Sequence, residues 1–189
     1  MSARCFENGL LFQFDPSGAH LLGGNVQTIS VAFAGGAEIL DVVYTEGTLY
    51  QFDPSGGHLL GSGVKTVSVA FASIGEVLDV VYTNGQFYQF DQFGSHLLGS
   101  NVQTACVTFN GGAEVIDMVF TDGTLYQFDQ SGFHFLGGGV QTISAAFSLP
   151  GPRLFGRIVA PPTEALDVIY SDNSLVQYAA GAHPFGTLI

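Results

Sequence analysis

Short apolar runs alternate with glycine-bearing polar breaks along nearly the whole chain. In TISVAFA (Thr28–Ala34), Ile29, Val31 and Phe33 alternate with Ser30, Ala32 and Ala34. LDVVYT (Leu40–Thr45) is almost continuously apolar, TLYQFD (Thr48–Asp53) is aromatic and branched, and HLLG (His58–Gly61) is shorter still. Runs of four to seven residues rich in Val, Tyr and Phe and bounded by Gly are strands rather than helices. The pattern predicts an all-β chain with no helix longer than two turns outside residues 149–165.

The four-strand phrase recurs. DVVYTEGTLYQFDPSGGHLLG from Asp41 returns at Asp79 as DVVYTNGQFYQFDQFGSHLLG and at Asp117 as DMVFTDGTLYQFDQSGFHFLG. The period is 38 residues, and fixed self-similarity of this length marks a repeat architecture. The units run 3–40, 41–78, 79–116, 117–166 and 167–189, with an insertion at 149–165 inside the fourth. The whole of 1–189 reads as one domain.

The breaks between runs are turns. Asn8-Gly9, Glu46-Gly47, Asn84-Gly85, Asp122-Gly123 and Asp172-Asn173 separate the second and third strands, and Asn-Gly or Asp-Gly supplies the positive φ angles of a tight hairpin. DPSG, DQFG and DQSG separate the third and fourth, with Asp first and Gly last as in a type I turn. Each unit is therefore a four-stranded antiparallel meander. Both faces are largely apolar, so both should be covered by neighbouring units, and sheets stacked face to face around an axis form a β-propeller. The expected architecture is a propeller of about five four-stranded blades. VAF-type first strands occur only four times, near Val31, Val69, Val107 and Ala145, so one blade is incomplete. The ring is expected to close with the first and fifth blades face to face, with one three-stranded blade. The alternative is a strand supplied by Arg157–Ala160 (RIVA), which leaves a monomer, or by a second chain, which makes a strand-completing oligomer.

The segments VAFA and LDVVYTEGTLYQFDPSG resemble the blades of WD-repeat, PQQ-type and NHL-type propellers. That resemblance implies an innermost VAF strand followed by a D-G-x-L-Y-x-x-D hairpin. The Trp-Asp pair of true WD repeats and the Asp-box of sialidases are absent. The aromatic strand and tight turn also resemble, more faintly, tachylectin-type five-bladed lectins.

Apolar residues make up 47% of the 189 and charged residues 11%, which is the opposite of a disordered composition. Sixteen acidic residues against four basic give a net charge of −12. Arg4, Lys65, Arg153 and Arg157 form no cluster, so neither nucleic acid nor an anionic membrane is an expected partner. The acidity reads as solubility for a greasy chain. Cys5 and Cys106 lie at unmatched places in the repeat and read as buried strand fillers, with no disulfide framework. The N-terminus carries no signal-peptide pattern, and no apolar run is long enough for a transmembrane helix.

Polar residues that recur in every unit are the first candidates for chemistry. Glu38/Asp41, Glu76/Asp79, Glu114/Asp117 and Glu164/Asp167 are three apart, so each pair points to opposite faces of its strand and does not chelate a cation locally. They read as a strand-start Asp accepting backbone N–H bonds and a Glu at a solvated turn. His20, His58, His96, His134 and His183 follow the turn Asp by five residues or lie at the matching place, and read as Asp–His bonds that tie the turn rather than as metal ligands. Gln13, Gln51, Gln89, Gln127 and Gln177 are the polar residues of the third strand. A buried amide needs partners, so they form an inter-blade hydrogen-bond ladder or, for Gln51, Gln89 and Gln127, contact a ligand.

Departures from the repeat point to a specific site more sharply. Phe93 stands where Ser17, Ser55 and Ser131 stand elsewhere, and Phe133 stands in place of Ala19, Gly57 and Ser95. Both put an aromatic on an outer turn, where it can stack on a sugar ring or anchor an interface. No copy supplies a nucleophile, and no metal or cofactor is implied. The expectation is a non-enzymatic scaffold or interaction module with a protein or glycan partner. The alternative is a carbohydrate-binding lectin with repeated inter-blade sites.

Overall fold

The computed structural model describes residues 3–7, 9–15, 18–72, 75–110, 113–147, 153–154, 157–158 and 164–179. All regular structure among them is β. The first sheet holds β1 (Ala3–Glu7), β2 (Leu10–Asp15) and β3 (Gly18–Gly23). The second holds β4 (Val26–Ala34), β5 (Ala37–Tyr44), β6 (Leu49–Asp53) and β7 (Gly56–Gly61). The third holds β8 (Val64–Ala72), β9 (Gly75–Tyr82), β10 (Phe87–Asp91) and β11 (Gly94–Gly99). The fourth holds β12 (Val102–Asn110), β13 (Ala113–Phe120), β14 (Leu125–Asp129) and β15 (Gly132–Gly137). In the fifth, β16 (Val140–Phe147) pairs with β19 (Glu164–Tyr170) and β19 with β20 (Leu175–Ala179), while the insertion forms the hairpin of β17 (Arg153–Leu154) and β18 (Arg157–Ile158).

Every pairing is an antiparallel meander, and the sheets stand as blades of a β-propeller. Among the described residues two sheets have three strands, the first and the fifth, against the single three-stranded blade expected. In the first, β1 matches β5, β9 and β13, so the sheet has no counterpart of β4, β8 and β12. Of the RIVA segment, the described Arg157–Ile158 pairs with Arg153–Leu154 in a separate two-stranded sheet, and residues 159–160 lie outside the described residues. The expected contact of the first and fifth blades falls largely on side chains at 1–8, 13–17, 146–164 and 178–189, which lie outside the described residues.

Second strands are buried on both faces, which is why they are near-continuously apolar. In β9, Val77, Val81 and the adjoining Phe87 pack against Val102, Val107, Ile116 and Met118 of the fourth blade. The alternate residues Leu78 and Val80 pack against Val43 and Leu49 of the second blade. The same division recurs between the first and second blades around Leu11, Val26 and Val42, and between the fourth and fifth around Val119, Leu125, Val140 and Val168. Each buried Val or Leu contributes about 1.5–3 kcal/mol, so each blade acquires its core only from its neighbours.

The backbone stitches the same joints. Val64 N–H donates to the Gly47 carbonyl at 2.9 Å, Val102 to Gly85 at 3.0 Å and Val140 to Gly123 at 2.9 Å. Side chains add to this: the Ser30 hydroxyl accepts from Val69 N–H at 2.9 Å and the Ser68 hydroxyl from Val107 N–H at 3.1 Å.

The second-to-third-strand turn differs in type from the expected two-residue hairpin. Gly85 N–H donates to the Tyr82 carbonyl at 2.9 Å, and Tyr82 N–H to the Gln86 carbonyl at 2.8 Å. Gly85 has φ +80°, whereas Asn84 does not adopt positive φ. This is a three-residue loop, a type I turn closed by a left-handed glycine. In the fifth copy Asn173 takes the glycine's place at φ 64°.

The apolar outermost strand is not covered. Leu21, Leu59 and Leu97 are 56–60% exposed, so the expectation that both faces bury along their whole width fails at the rim. The outer strand has a neighbour on one side only, and the wedge between blades widens away from the axis.

Candidate binding site

The recurring polar residues are held inside the fold. Asp41 lies opposite Gln51 in the β5–β6 register, and Gln51 Nε2 donates to Asp41 Oδ1 at 3.2 Å and, across the blade joint, to Glu76 Oε1 at 2.5 Å. The next joint repeats this: Gln89 Nε2 donates to Asp79 Oδ1 at 3.2 Å and to Glu114 Oε1 at 2.6 Å. Gln127 donates to Asp117 at 3.0 Å and Gln177 to Asp167 at 2.8 Å. Gln51 and Gln89 thus bridge blades, with their amide hydrogens shared between two carboxylates each. The Gln127–Asp117 and Gln177–Asp167 bonds lie within their own blades, and the side chain of Gln13 lies outside the described residues.

The Asp residues correct the sequence reading. Asp41, Asp79 and Asp117 sit in mid-strand and are buried, bonded to side chains rather than to strand-start N–H groups. Glu76 and Glu114 are in-strand and reach back to the preceding blade rather than standing at a solvated turn. Burial, and then the Glu76 carboxylate, push Asp41 up to about 7 against the smaller opposing bond from Gln51. Burial raises Asp79 well above the carboxylate range. Oδ2 of each is buried without a partner among the described residues. Desolvation of an ionised carboxylate is costly, so these groups hold protons more tightly than an exposed Asp.

The Asp–His bonds form as expected where they are described. His96 Nε2 lies 3.3 Å from Asp91 Oδ1 and His134 Nε2 3.1 Å from Asp129 Oδ1. His58 joins the same network through Ser55 at 2.9 Å. These histidines stand on separate outer hairpins and do not converge.

The inner strands enclose an axial cavity of about 430 Å³ lined by residues 28–31, 66–69, 104–107 and 142–145. Cys106 stands here, buried in β12 as expected, where the second and third blades place Ser30 and Ser68. Cys5 lies in β1, its side chain outside the described residues.

The two aromatic departures differ. Phe93 is 73% exposed at the tip of its turn and its ring meets no other ring among the described residues. Phe133 belongs to a cluster. The β14–β15 register sets Tyr126 opposite Phe135 and Phe128 opposite Phe133, all on one face of the outer hairpin. Tyr126 and Phe135 have centroids 5.4 Å apart, Phe128 and Phe133 5.1 Å, and Tyr126 and Phe133 6.0 Å. Phe133 and Phe135 remain more than half exposed. Sequence reasoning found Phe133 but missed Phe135, whose signal was present as the change from HLLG to HFLG.

Beside this cluster lies a cavity of about 450 Å³ lined by Asn101, Phe120, Asp122, Thr124, Tyr126 and Phe133. Asp122 Oδ1 accepts from Thr124 N–H at 2.9 Å and from the Thr124 hydroxyl at 2.6 Å, and these bonds hold its carboxyl below the usual range. The third blade has the matching hollow, about 260 Å³, with Tyr82, Asn84, Gln86, Tyr88, Phe90 and Ser95.

No family model matches the chain, and no curated protein matches it in sequence. Among solved structures it is similar to two crystal structures of BBS1N in complex with ARL6DN, one soaked with mercury and one with lead. The first has a TM-score of 0.56 at 14% identity, over 89% of this chain and 57% of that one. The second has a TM-score of 0.54 at 14% identity, over 89% and 56%. At that identity the likeness is one of fold, and the chain spans a little over half the length of those neighbours.

Proposed function

We propose that the protein is a non-enzymatic binding scaffold that docks a protein partner on the outer hairpin of its fourth blade. One observation carries this reading. Among the described residues, polar groups common to the blades are committed to joints and turns, whereas Phe133 and Phe135, which break the repeat, form a solvent-facing aromatic cluster in the fourth blade. Clustered exposed aromatics are characteristic anchors of interfaces. The neighbour BBS1N is in complex with ARL6DN, which supports a partner of the protein class.

The test is affinity capture with the full chain and with F133S/F135L, which restores the third blade's residues at both positions. Partners retained by the parent and lost by the variant, at matched thermal stability, are the expected result. Equal capture by both, or substrate turnover that tracks the purified protein, would overturn the reading. Carbohydrate binding is the second reading, favoured by the aromatic-and-polar hollow in equivalent places of the third and fourth blades. A glycan array decides it: saturable binding to defined sugars supports the lectin.

A further inference from the structure

We propose that the cavity between Phe120, Tyr126 and Phe133 in the fourth blade is a site for an organic cation, an alkylammonium group held against three aromatic rings and the Asp122 carboxylate. This deepens the scaffold reading and rests on it, since it gives the fourth-blade face a ligand chemistry.

The geometry is that of an aromatic corner. Phe120 and Tyr126 stand nearly perpendicular, with centroids 5.7 Å apart at 88°. Tyr126 and Phe133 are 6.0 Å apart at 63°. The corner is set before any ligand arrives, because Phe120 packs on the core between the third and fourth blades and Tyr126 is braced by Phe135. In each of these contacts the edge of one ring lies against the face of the other, and a cation in the cavity that the three rings line is attracted to the ring faces left open to it.

The polar rim selects the charge. The Thr124 hydroxyl donates its proton to Asp122, so it is not a donor to the ligand. The rim then offers the Asp122 carboxylate, the Asn101 carboxamide and the Thr121 and Tyr126 hydroxyls beside the Phe120 and Phe133 rings, and of these groups only Asp122 carries a full charge. A neutral sugar needs several donors and acceptors around its hydroxyls, whereas an ammonium group needs acceptors and ring faces. The whole molecule, at −12, also draws cations and repels anions. The third blade lacks both features, with Asn84 in place of Asp122 and Ser95 in place of Phe133. The site is thus specific to one blade although the hollow is not.

The same chemistry can come from a free quaternary amine or from a lysine of a basic partner. The test is titration of the full chain, by calorimetry and saturation-transfer NMR, with choline, with its neutral isostere 3,3-dimethylbutan-1-ol and with glucose. Choline is expected to bind at one site, with the isostere about fivefold weaker or more. Phe133→Ser is expected to abolish binding, and Asp122→Asn to weaken it. Phe93→Ser, on the neighbouring blade, should leave it unchanged. Because serine stands at the equivalent place in the third blade, F133S is compatible with folding. The reciprocal N84D/S95F should raise the stoichiometry from one site to two. A trimethyllysine peptide that binds tighter than choline assigns the source to a partner protein, and the reverse order assigns it to a free amine. Equal binding of the isostere, displacement of choline by glucose, or no choline binding by the folded parent would overturn the proposal. The scaffold reading fails separately, when F133S/F135L captures every partner that the parent captures.

Discussion

The third and fourth blades share register, turn geometry and joints, yet they differ in what they show to solvent. Both carry a buried Asp beneath a Gln, an Asp–His pair on the outer turn and a left-handed glycine at the second-to-third-strand hairpin. Their outer hairpins diverge: Ser95 and Leu97 in one stand where Phe133 and Phe135 stand in the other. Their inner strands diverge as well, with Ser68 in one and Cys106 in the other. Residues that recur hold blades together because every joint poses the same physical problem. A residue that changes in one blade is not fixed by that shared problem.

The largest effect should come from breaking a shared element. Gly85 has φ +80°, and a Cβ there would lie 3.4 Å from the Asn101 backbone, where the chain crosses into the fourth blade. Gly85→Val should destabilise by about 2–3 kcal/mol, the cost of holding a β-branched residue at positive φ. Gly123→Val should cost a similar amount, since Gly123 holds nearly the same positive φ, 81°. Denaturant unfolding measures both. A loss confined to one of the two would show that the blades do not share this joint.

Much of this architecture is legible in the sequence, and the reason is local. Strand boundaries follow from period-two patterning and glycine placement, so the expected Thr28–Ala34 and Thr48–Asp53 fall within or beside β4 and β6. The turn type was less legible. Asn84-Gly85 signals a positive φ without saying whether one or both residues adopt it. The ladder was half legible: Gln51 needed partners, but nothing local told that Glu76 would be one of them, because that contact is made only when two blades meet. The aromatic cluster was legible at Phe133 and hidden at Phe135, since Leu to Phe preserves the apolar pattern and changes only what solvent sees.

The buried acids sharpen what the blades have in common, through pH. Asp41 is raised to about 7, chiefly by burial, from an ordinary value near 3.8. A raised carboxyl binds its proton more tightly in the folded state. Its contribution is therefore fully present below about pH 4 and is lost as pH rises through about 7. The loss proceeds at up to about 1.4 kcal/mol per pH unit. Asp41→Asn removes the titrating group, so its stability should fall less steeply than the parent's between pH 4 and pH 7. Paired urea titrations across that range test it; parallel pH profiles would show that Asp41 ionises as freely folded as unfolded.

The smallest effect probes the inner strands. Ser30 and Ser68 each accept a backbone N–H from the next blade's first strand, at 2.9 and 3.1 Å. At the corresponding place in the fourth blade Cys106 offers sulfur, a weaker and larger acceptor. Cys106 is nonetheless buried in the core shared with Val119, Leu125 and Val140, where a thiol acts as a small hydrophobe. Cys106→Ser therefore exchanges apolar packing for a better hydrogen bond across the joint. The two terms oppose each other and are of similar size, about 1 kcal/mol each. The expected net change is within about 0.5 kcal/mol of zero. A loss above about 2 kcal/mol would show that the fourth joint has been repacked around sulfur, making the inner strand of this blade, like its rim, a departure from the repeat rather than a tolerated variant of it.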